Sequence, residues 1–210
     1  MPPLNSDKII LDLCGGTGAW SKPYKDAGYD VCLITLPEND VRDWNNTHKQ
    51  IYKMLWNKPI YGILAAPPCT QFSIARTTAF TPRDLRGGIE IVKACVEIIW
   101  EARINNKLAF WALENPFGLL RQFLGKPAFT FHPYDFGHPY TKRTELWGYF
   151  KEPSKNPIEV PNRIKMQLAK NNRILPLLPE GYKEPGKRNQ AARRAITPAG
   201  FAKAFFEANQ

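Results

Sequence analysis

Short apolar runs alternate with polar, glycine-rich or proline-rich breaks along the first two thirds of the chain. Residues 8–13 (KIILDL) form one such run and stop at a glycine cluster, the pattern of a strand buried on both faces. Residues 19–27 can form a helix, and residues 30–36 (DVCLITL) read as a second β-rich run, which together predict a strand–turn–helix–strand unit. A third run, residues 60–66 (IYGILAA), ends at Pro67 and Pro68, which cannot continue a central strand. Residues 67–88 lack apolar periodicity and carry Arg76, Arg83 and Arg86. A structureless loop of that length in a compact domain is a functional lid or a disordered segment, and the lid is the reading adopted.

Further along, Ile91, Val92, Cys95, Val96, Ile98, Ile99 and Ala102 stand at near-helical spacing and predict a long amphipathic helix over residues 88–104. Residues 108–113 (LAFWAL) follow as a buried-strand candidate closed by Glu114, Asn115 and Pro116. Residues 128–134 and 146–150 are further strand candidates around the polar segment 141–145. Thr197 and Pro198 are placed as N-cap and first residue of a helix over residues 199–208. This alternation predicts a doubly wound α/β sheet, with ligands at the carboxyl ends of its strands. Residues 151–190, with six prolines among many Lys, Arg and Asn, read as a loop-rich appendage. The expected organisation is thus a body over residues 1–150, an appendage over 151–190, and a C-terminal segment, 191–210, whose helix returns to the body.

A chain of 210 residues suits one domain and needs no disulfide or metal to fold. Its 43% hydrophobic and 23% charged residues argue against wholesale disorder. No apolar stretch approaches the roughly 20 residues of a membrane span, and MPPLNSDK lacks a signal-peptide layout. Cys14, Cys32, Cys69 and Cys95 have neither zinc-site spacing nor the density of a secreted scaffold. These features predict a soluble cytoplasmic protein with reduced thiols, no metal and no membrane partner. The charge is uneven: residues 1–138 hold 15 Lys/Arg against 13 Asp/Glu, and residues 139–210 hold 14 against 6. A localised cationic surface points to a polyanion, and nucleic acid is the commonest; a solvated basic face is the plainer alternative.

Three segments carry candidate chemistry. In LDLCGGTGAW (residues 11–20), Gly15, Gly16 and Gly18 lie between a strand and a helix, where glycine lets a nucleotide-like ligand approach main-chain N–H groups. A simple tight turn would use the same residues. The GxGxxG spacing is absent, since position 21 is Ser21, and no Lys-Ser or Lys-Thr pair follows as in a P-loop. In AAPPCTQFS (residues 65–73), Cys69 follows a strand beside a rigid proline pair, the placement of an exposed nucleophile that needs an activating environment. Cys14, Cys32 and Cys95 lie inside apolar patterns and read as packing. Glu114 supplies a carboxylate at the same edge, either as a partly desolvated proton donor or as a strand-end cap.

In this order, DLCGGTG, PPC followed by FS, ENP and the basic TKRT resemble the DNA (cytosine-5)-methyltransferase family, in particular its small phage-type members. The likeness spans residues 8–150, with an echo at residues 193–208. It implies a Rossmann-like sheet of the S-adenosylmethionine-dependent methyltransferase type. Its cofactor would be S-adenosyl-L-methionine, held by Asp12, Cys14, Gly15, Gly16, Gly18, Trp20, Asp40 and Pro67. Cys69 would add to carbon 6 of a cytosine flipped out of DNA, Glu114 would contact ring nitrogen 3 and the exocyclic amine, and Arg143 would bind near the base. Pro68, Ser73, Arg76 and Asn115 would complete the substrate side. Carbon 5 would take the methyl group and lose its proton as Cys69 departs. The chemistry agrees with the residues: an unactivated pyrimidine carbon is a poor methyl acceptor until a thiolate adds beside it, and base extrusion needs cationic contacts to the backbone.

The sequence departs from the family pattern at several positions. Cys14 replaces a usual Phe, Thr35 and Leu36 stand where an acid binds the ribose, with Glu38 slightly beyond, and Asp40 in DVRDW matches an adenine-contacting acid. In the family's Q-x-R-x-R segment, Arg143 matches the first arginine, Thr141 replaces Gln and Glu145 replaces the second Arg. Only residues 151–190 remain for target recognition, and Arg163, Lys165, Lys170, Arg173, Lys187 and Arg188 there suit phosphate contacts better than base reading. Short or relaxed specificity, or a helper protein, is expected. Methylation of cytosine in RNA or a nucleotide, and a non-catalytic DNA-binding role, are the competing readings.

Overall fold

The computed structural model describes residues 5–43, 58–74, 76, 80–105, 108–159 and 194–210. Six strands form one mixed sheet: β1 (Ile9–Leu13), β2 (Asp30–Ile34), β3 (Ile60–Ala65), β4 (Phe110–Pro116), β5 (Phe129–Phe131) and β6 (Thr144–Tyr149). Their order is β2-β1-β3-β4-β6-β5. The first four run parallel, and β6 runs antiparallel to both of its neighbours. The helices are α1 (Lys22–Asp26), α2 (Leu85–Asn105), α3 (Arg121–Leu124) and α4 (Ala199–Ala208). The α/β class expected from the alternating pattern is therefore observed, with an antiparallel strand inside the sheet.

Successive strand residues face opposite sides of a sheet, and both sides here are covered. Ile9, Leu11, Leu13, Ile63, Ala65 and Leu113 share a core with Val92, Cys95, Ile98, Ile99 and Ala102 of α2. Ile10, Leu64, Phe110, Ala112 and Leu146 face the other way, toward Tyr24 of α1 and Phe201, Ala202 and Phe205 of α4. That second core is aromatic: Phe131 stacks on Phe201 at 4.0 Å between ring centroids, and Trp20 meets Phe205 edge-on at 5.4 Å. Burying each such ring contributes about 1.5–3 kcal/mol, which secures the C-terminal helix on the sheet. All five residues of β1 are buried, as a central strand covered on both faces requires.

Several boundaries differ from the sequence expectation for physical reasons. Helix α1 is confined to Lys22–Asp26, because residues 19–21 form the turn and Pro23 sits at the helix start. Helix α2 begins three residues before the expected Gly88, where Asp84 Oδ1 accepts the Gly87 N–H at 2.8 Å. The described residues of the expected loop are not structureless: Cys69–Gln71 form a 3-10 turn, and Arg76 and Arg83 tie Gln71, Ser73, Thr81 and Pro82 together. Strand β4 continues through Glu114, Asn115 and Pro116, because these residues pair with Leu146, Glu145 and Thr144 of β6. At α4, Pro198 rather than Thr197 is the N-cap, and the free Gly200 N–H donates to His138 Nε2 at 3.0 Å. The first nine residues of the expected appendage, 151–159, return to the body: Lys151 pairs with Asn209, and Asn156 and Ile158 donate to Asp135 and Tyr134 carbonyls. The rest of the recognition segment, including its six basic residues, lies outside the described residues. Among the described residues no helix is long and apolar enough to cross a membrane.

Candidate active site

The strand order reverses between β1 and β3, because the chain leaves β1 for β2 on one side and returns to β3 on the other. A crevice at the carboxyl ends of the strands is the ligand position such a reversal creates. The loops after β1 and β3 are fixed there by Cys14 N–H donating to Ile34 O at 2.7 Å and Ala66 N–H donating to Leu13 O at 2.9 Å.

The glycine loop is shaped from beneath by Asp12. Its carboxylate is fully buried and accepts a hydrogen bond from Ser21 Oγ, while Oδ1 has no partner. Burial pushes its pKa up to about 6, against the Ser21 hydrogen bonds that lower it. A Cβ at Gly15 would lie 2.2 Å from Asp12 Oδ1, so only glycine fits above the carboxylate. Gly16 and Gly18 have φ of +56° and +70°, and the space above Gly16 is open. Cys14 also adopts a left-handed conformation, with φ +57°. A hydrogen bond from the Cys95 thiol lowers the pKa of Cys14, while burial and Asp40 oppose it.

Other members of the expected cofactor set have different surroundings. Trp20 is only 2% exposed, and its ring packs against Phe201 and Phe205 in the aromatic core. Asp40 lies close enough to influence Cys14, but its carboxylate is gripped by Arg42, with Nη2 to Oδ2 at 2.6 Å, which holds it below the usual carboxylate range. After β2, Thr35 O accepts the Asn39 N–H, and Leu36 and Glu38 face outward. Pro67 is buried and Pro68 exposed.

The Cys69 loop is tied to the end of β4 and to the segment before β6. Asn115 Nδ2 donates to Pro67 O at 2.9 Å, and Ser73 forms a bridge with Gly118. Leu119 N–H donates to Phe72 O at 2.8 Å, and Phe117 N–H donates to Arg143 O at 2.9 Å. A Cβ at Gly118 would come within 2.3 Å of Phe72 O, so the close approach requires glycine. Asn115 is buried and ties the Cys69 loop to β4 through Pro67, while Glu114 keeps a side chain 13% exposed. Burial raises the pKa of Cys69; Lys142 lowers it and Glu114 raises it, so the three charges act on one another.

Two of the three arginines of the 67–88 segment bind the loop itself, while Arg86 is exposed. Arg83 donates to Gln71 O at 2.7 Å and Ser73 O at 2.9 Å; Arg76 donates to Gln71 Oε1 at 3.0 Å and Thr81 Oγ1 at 2.9 Å. Their described contacts hold the loop rather than present a clamp. Arg143 stacks over Phe117, with its guanidinium carbon 4.2 Å from the ring centroid, and pairs with Glu145 at 3.7 Å. Glu114 pairs with Lys142, at 3.4 Å. Lys142 was not singled out in the sequence; its only signal was a position inside TKRT beside the arginine that matched a motif. Tyr140, also missed, is buried with its hydroxyl unpartnered, and burial raises it to about 12 while Arg194 lowers it and Glu114 raises it.

Among the described residues no group of three or more His, Cys, Asp and Glu is arranged to hold a metal ion, and the four cysteines are free thiols. A carboxylate, a cation and a thiol at one sheet edge, beside an open glycine loop, suit covalent group transfer to a planar substrate. Comparison with protein-family models and with curated protein sequences finds no match for this chain.

Proposed function

We propose that this chain transfers a methyl group from S-adenosyl-L-methionine to carbon 5 of a cytosine in DNA, using Cys69 as a transient nucleophile. The observation that carries the reading is the convergence of Cys69, Glu114 and Lys142 on the sheet edge that also bears the glycine loop. The helices on both faces and the reversal between β1 and β3 support the finer assignment to a Rossmann-like methyltransferase fold.

The residues at the crevice fit the proposed cofactor. Gly16 leaves the loop open, the buried Asp12 carboxylate has a free oxygen, and Leu36 offers an apolar platform beyond β2. Asp12, Gly15, Gly16 and Gly18 would hold it. When bound, it would supply an electrophilic methyl group.

Cys69, as the thiolate, adds through Sγ to carbon 6 of the base, and the ring electrons move toward carbon 5. Glu114 holds the base by accepting a hydrogen bond from the exocyclic amine and, once it carries a proton, by donating to ring nitrogen 3, where negative charge develops. Carbon 5 would take the methyl group as that group's bond to the cofactor's sulfonium sulfur breaks, leaving the demethylated thioether; the carbon 5 proton would pass to water, and the electron pair of that C–H bond would re-form the ring double bond and expel Cys69 as the thiolate. Asn115 and Arg83 keep the Cys69 loop in place. A reaching base must leave the duplex stack, and the basic C-terminal third, with 14 Lys/Arg against 6 Asp/Glu, suits the charge of the nucleic acid that supplies it. With so short a recognition segment, the proposed enzyme has short or relaxed specificity or relies on a helper protein.

The test is incubation with methyl-labelled S-adenosylmethionine and mixed-sequence duplex DNA, followed by digestion to nucleosides and mass spectrometry. Labelled 5-methyldeoxycytidine that disappears in Cys69→Ala is the expected result. Label on RNA alone would move the substrate to RNA, and no label on any nucleic acid with the cofactor still bound would leave a non-catalytic binding protein.

A further inference from the structure

The proposed reaction gathers negative charge at one point. Glu114 is a carboxylate with a side chain only 13% exposed, and Cys69 must become a thiolate beside it. Two negative charges in a partly desolvated site require a cation. The family resemblance assigns a cationic role to Arg143, but Arg143 is drawn away. Glu145, fully buried, attracts Arg143 at 3.7 Å and Arg121 at 3.6 Å, and both guanidinium groups lie over the Phe117 ring.

Lys142 is placed to meet the need. Its side chain is 12% exposed, its Nζ is 3.4 Å from Glu114 Oε1, and its charge reaches the Cys69 thiol. The backbone holds it there: Lys142 O accepts Thr144 Oγ1–H at 3.0 Å, and Thr144 pairs with Pro116 at the end of β4. Near-burial of a lysine is costly unless it is paired, and Glu114 supplies the pair. Tyr140, from the same segment, directs a buried, unpartnered hydroxyl into surroundings shared with Glu114 and Arg194.

We propose that Lys142 is a positioning residue of this site: its ammonium group holds Glu114 beside the cysteine and balances the negative charge of both as the thiolate forms. The proposal rests on the methyltransfer reading for its purpose, but the ionic arrangement exists without substrate. The charge exchange at position 145 explains the change of partner. With a glutamate there, the neighbouring arginine turns to it, and the lysine becomes the cation that reaches Glu114.

The test measures alkylation of Cys69 by iodoacetamide as a function of pH, in the full-length protein without nucleic acid, read on the Cys69 peptide by mass spectrometry. Lys142→Met raises the midpoint of the profile by about one pH unit, and Lys142→Arg keeps the wild-type midpoint. Glu114→Gln, which removes a negative charge from the thiol, lowers it and covers the case in which Lys142→Met fails to fold. A Lys142→Met midpoint equal to wild type, or a Glu114→Gln midpoint that does not fall, overturns the proposal. A second readout is the methyl-transfer rate: Lys142→Met lowers kcat about tenfold more than it changes KM for DNA. A shifted midpoint in a protein that methylates no nucleic acid would leave the ionic arrangement standing and remove the methyltransfer reading. Methylation with an unmoved midpoint would remove the role of Lys142 alone.

Discussion

Asn115 Nδ2 donates to Pro67 O at 2.9 Å, and this hydrogen bond joins the end of β4 to the loop that carries Cys69. On its β3 side β4 is paired only as far as Leu113, with Ala65 as partner; beyond it, Glu114–Pro116 has β6 on one side and the Cys69 loop on the other. The bond bridges the gap where the parallel pairing ends. Asn115→Asp removes the donor and leaves Pro67 O without its partner, at a cost of about 1–3 kcal/mol. The urea midpoint should fall accordingly, and methyl transfer should fall further than stability alone explains, because the Cys69 loop loses its tie to the end of β4. Equal activity at full stability would detach Asn115 from the site.

The two adjacent glycines of the first loop should respond unequally to alanine. At Gly15 the new Cβ would lie 2.2 Å from a buried carboxylate, whereas at Gly16 it meets nothing within 4 Å and faces only the strain of φ +56°. Gly16→Ala should cost about 1 kcal/mol and Gly15→Ala several times as much, measured by chemical denaturation. Similar losses at the two positions would show that Asp12 moves aside.

Asp12 makes the stability of the protein depend on pH in a particular direction. Its folded pKa, about 6, lies above the ordinary aspartate value of 3.8, so the native state holds the proton more tightly than the unfolded chain. The group favours folding at pH below 3.8 and loses that contribution as pH rises through 6. Asp12→Asn keeps an acceptor for Ser21 without the buried charge. The variant should gain on wild type as pH rises from 4 to 7, by up to about 3 kcal/mol, while binding of S-adenosylmethionine weakens. A stability difference that does not change with pH would place the ionised carboxylate in contact with water.

Arg83 separates loop support from phosphate binding. Its two terminal nitrogens donate to the carbonyls of Gln71 and Ser73. Arg83→Ala should lower the thermal midpoint and the alkylation selectivity of Cys69, with about 1.5–3 kcal/mol lost for the charge-assisted pair. The salt dependence of DNA binding should stay unchanged, whereas loss of a phosphate contact would reduce its slope by about one. A reduced slope would restore the clamp.

The amino-acid sequence determined the strands and marked the candidate site. Runs such as IILDL and LAFWAL are apolar at nearly every position because both faces of a central strand are covered, Asp12 being the exception that the glycine loop uses. Glycine after a strand, a proline pair beside a cysteine, and Glu114 at the end of an apolar run were legible because each violates the local periodicity. Element ends were less legible, since they depend on partners: β4 runs to Pro116 because β6 extends its pairing, and α2 starts at Leu85 because Asp84 accepts the Gly87 N–H. Only the tertiary structure decided which charges meet. Lys142 and Arg143 are adjacent and chemically alike in the sequence, yet one pairs with Glu114 and the other with Glu145, because alternation on β6 turns Glu145 toward the core and its two arginines. Trp20 likewise reads as part of the glycine loop, but α4, far along the chain, buries it. Local periodicity records burial and turn chemistry; pairing between distant segments is set by packing.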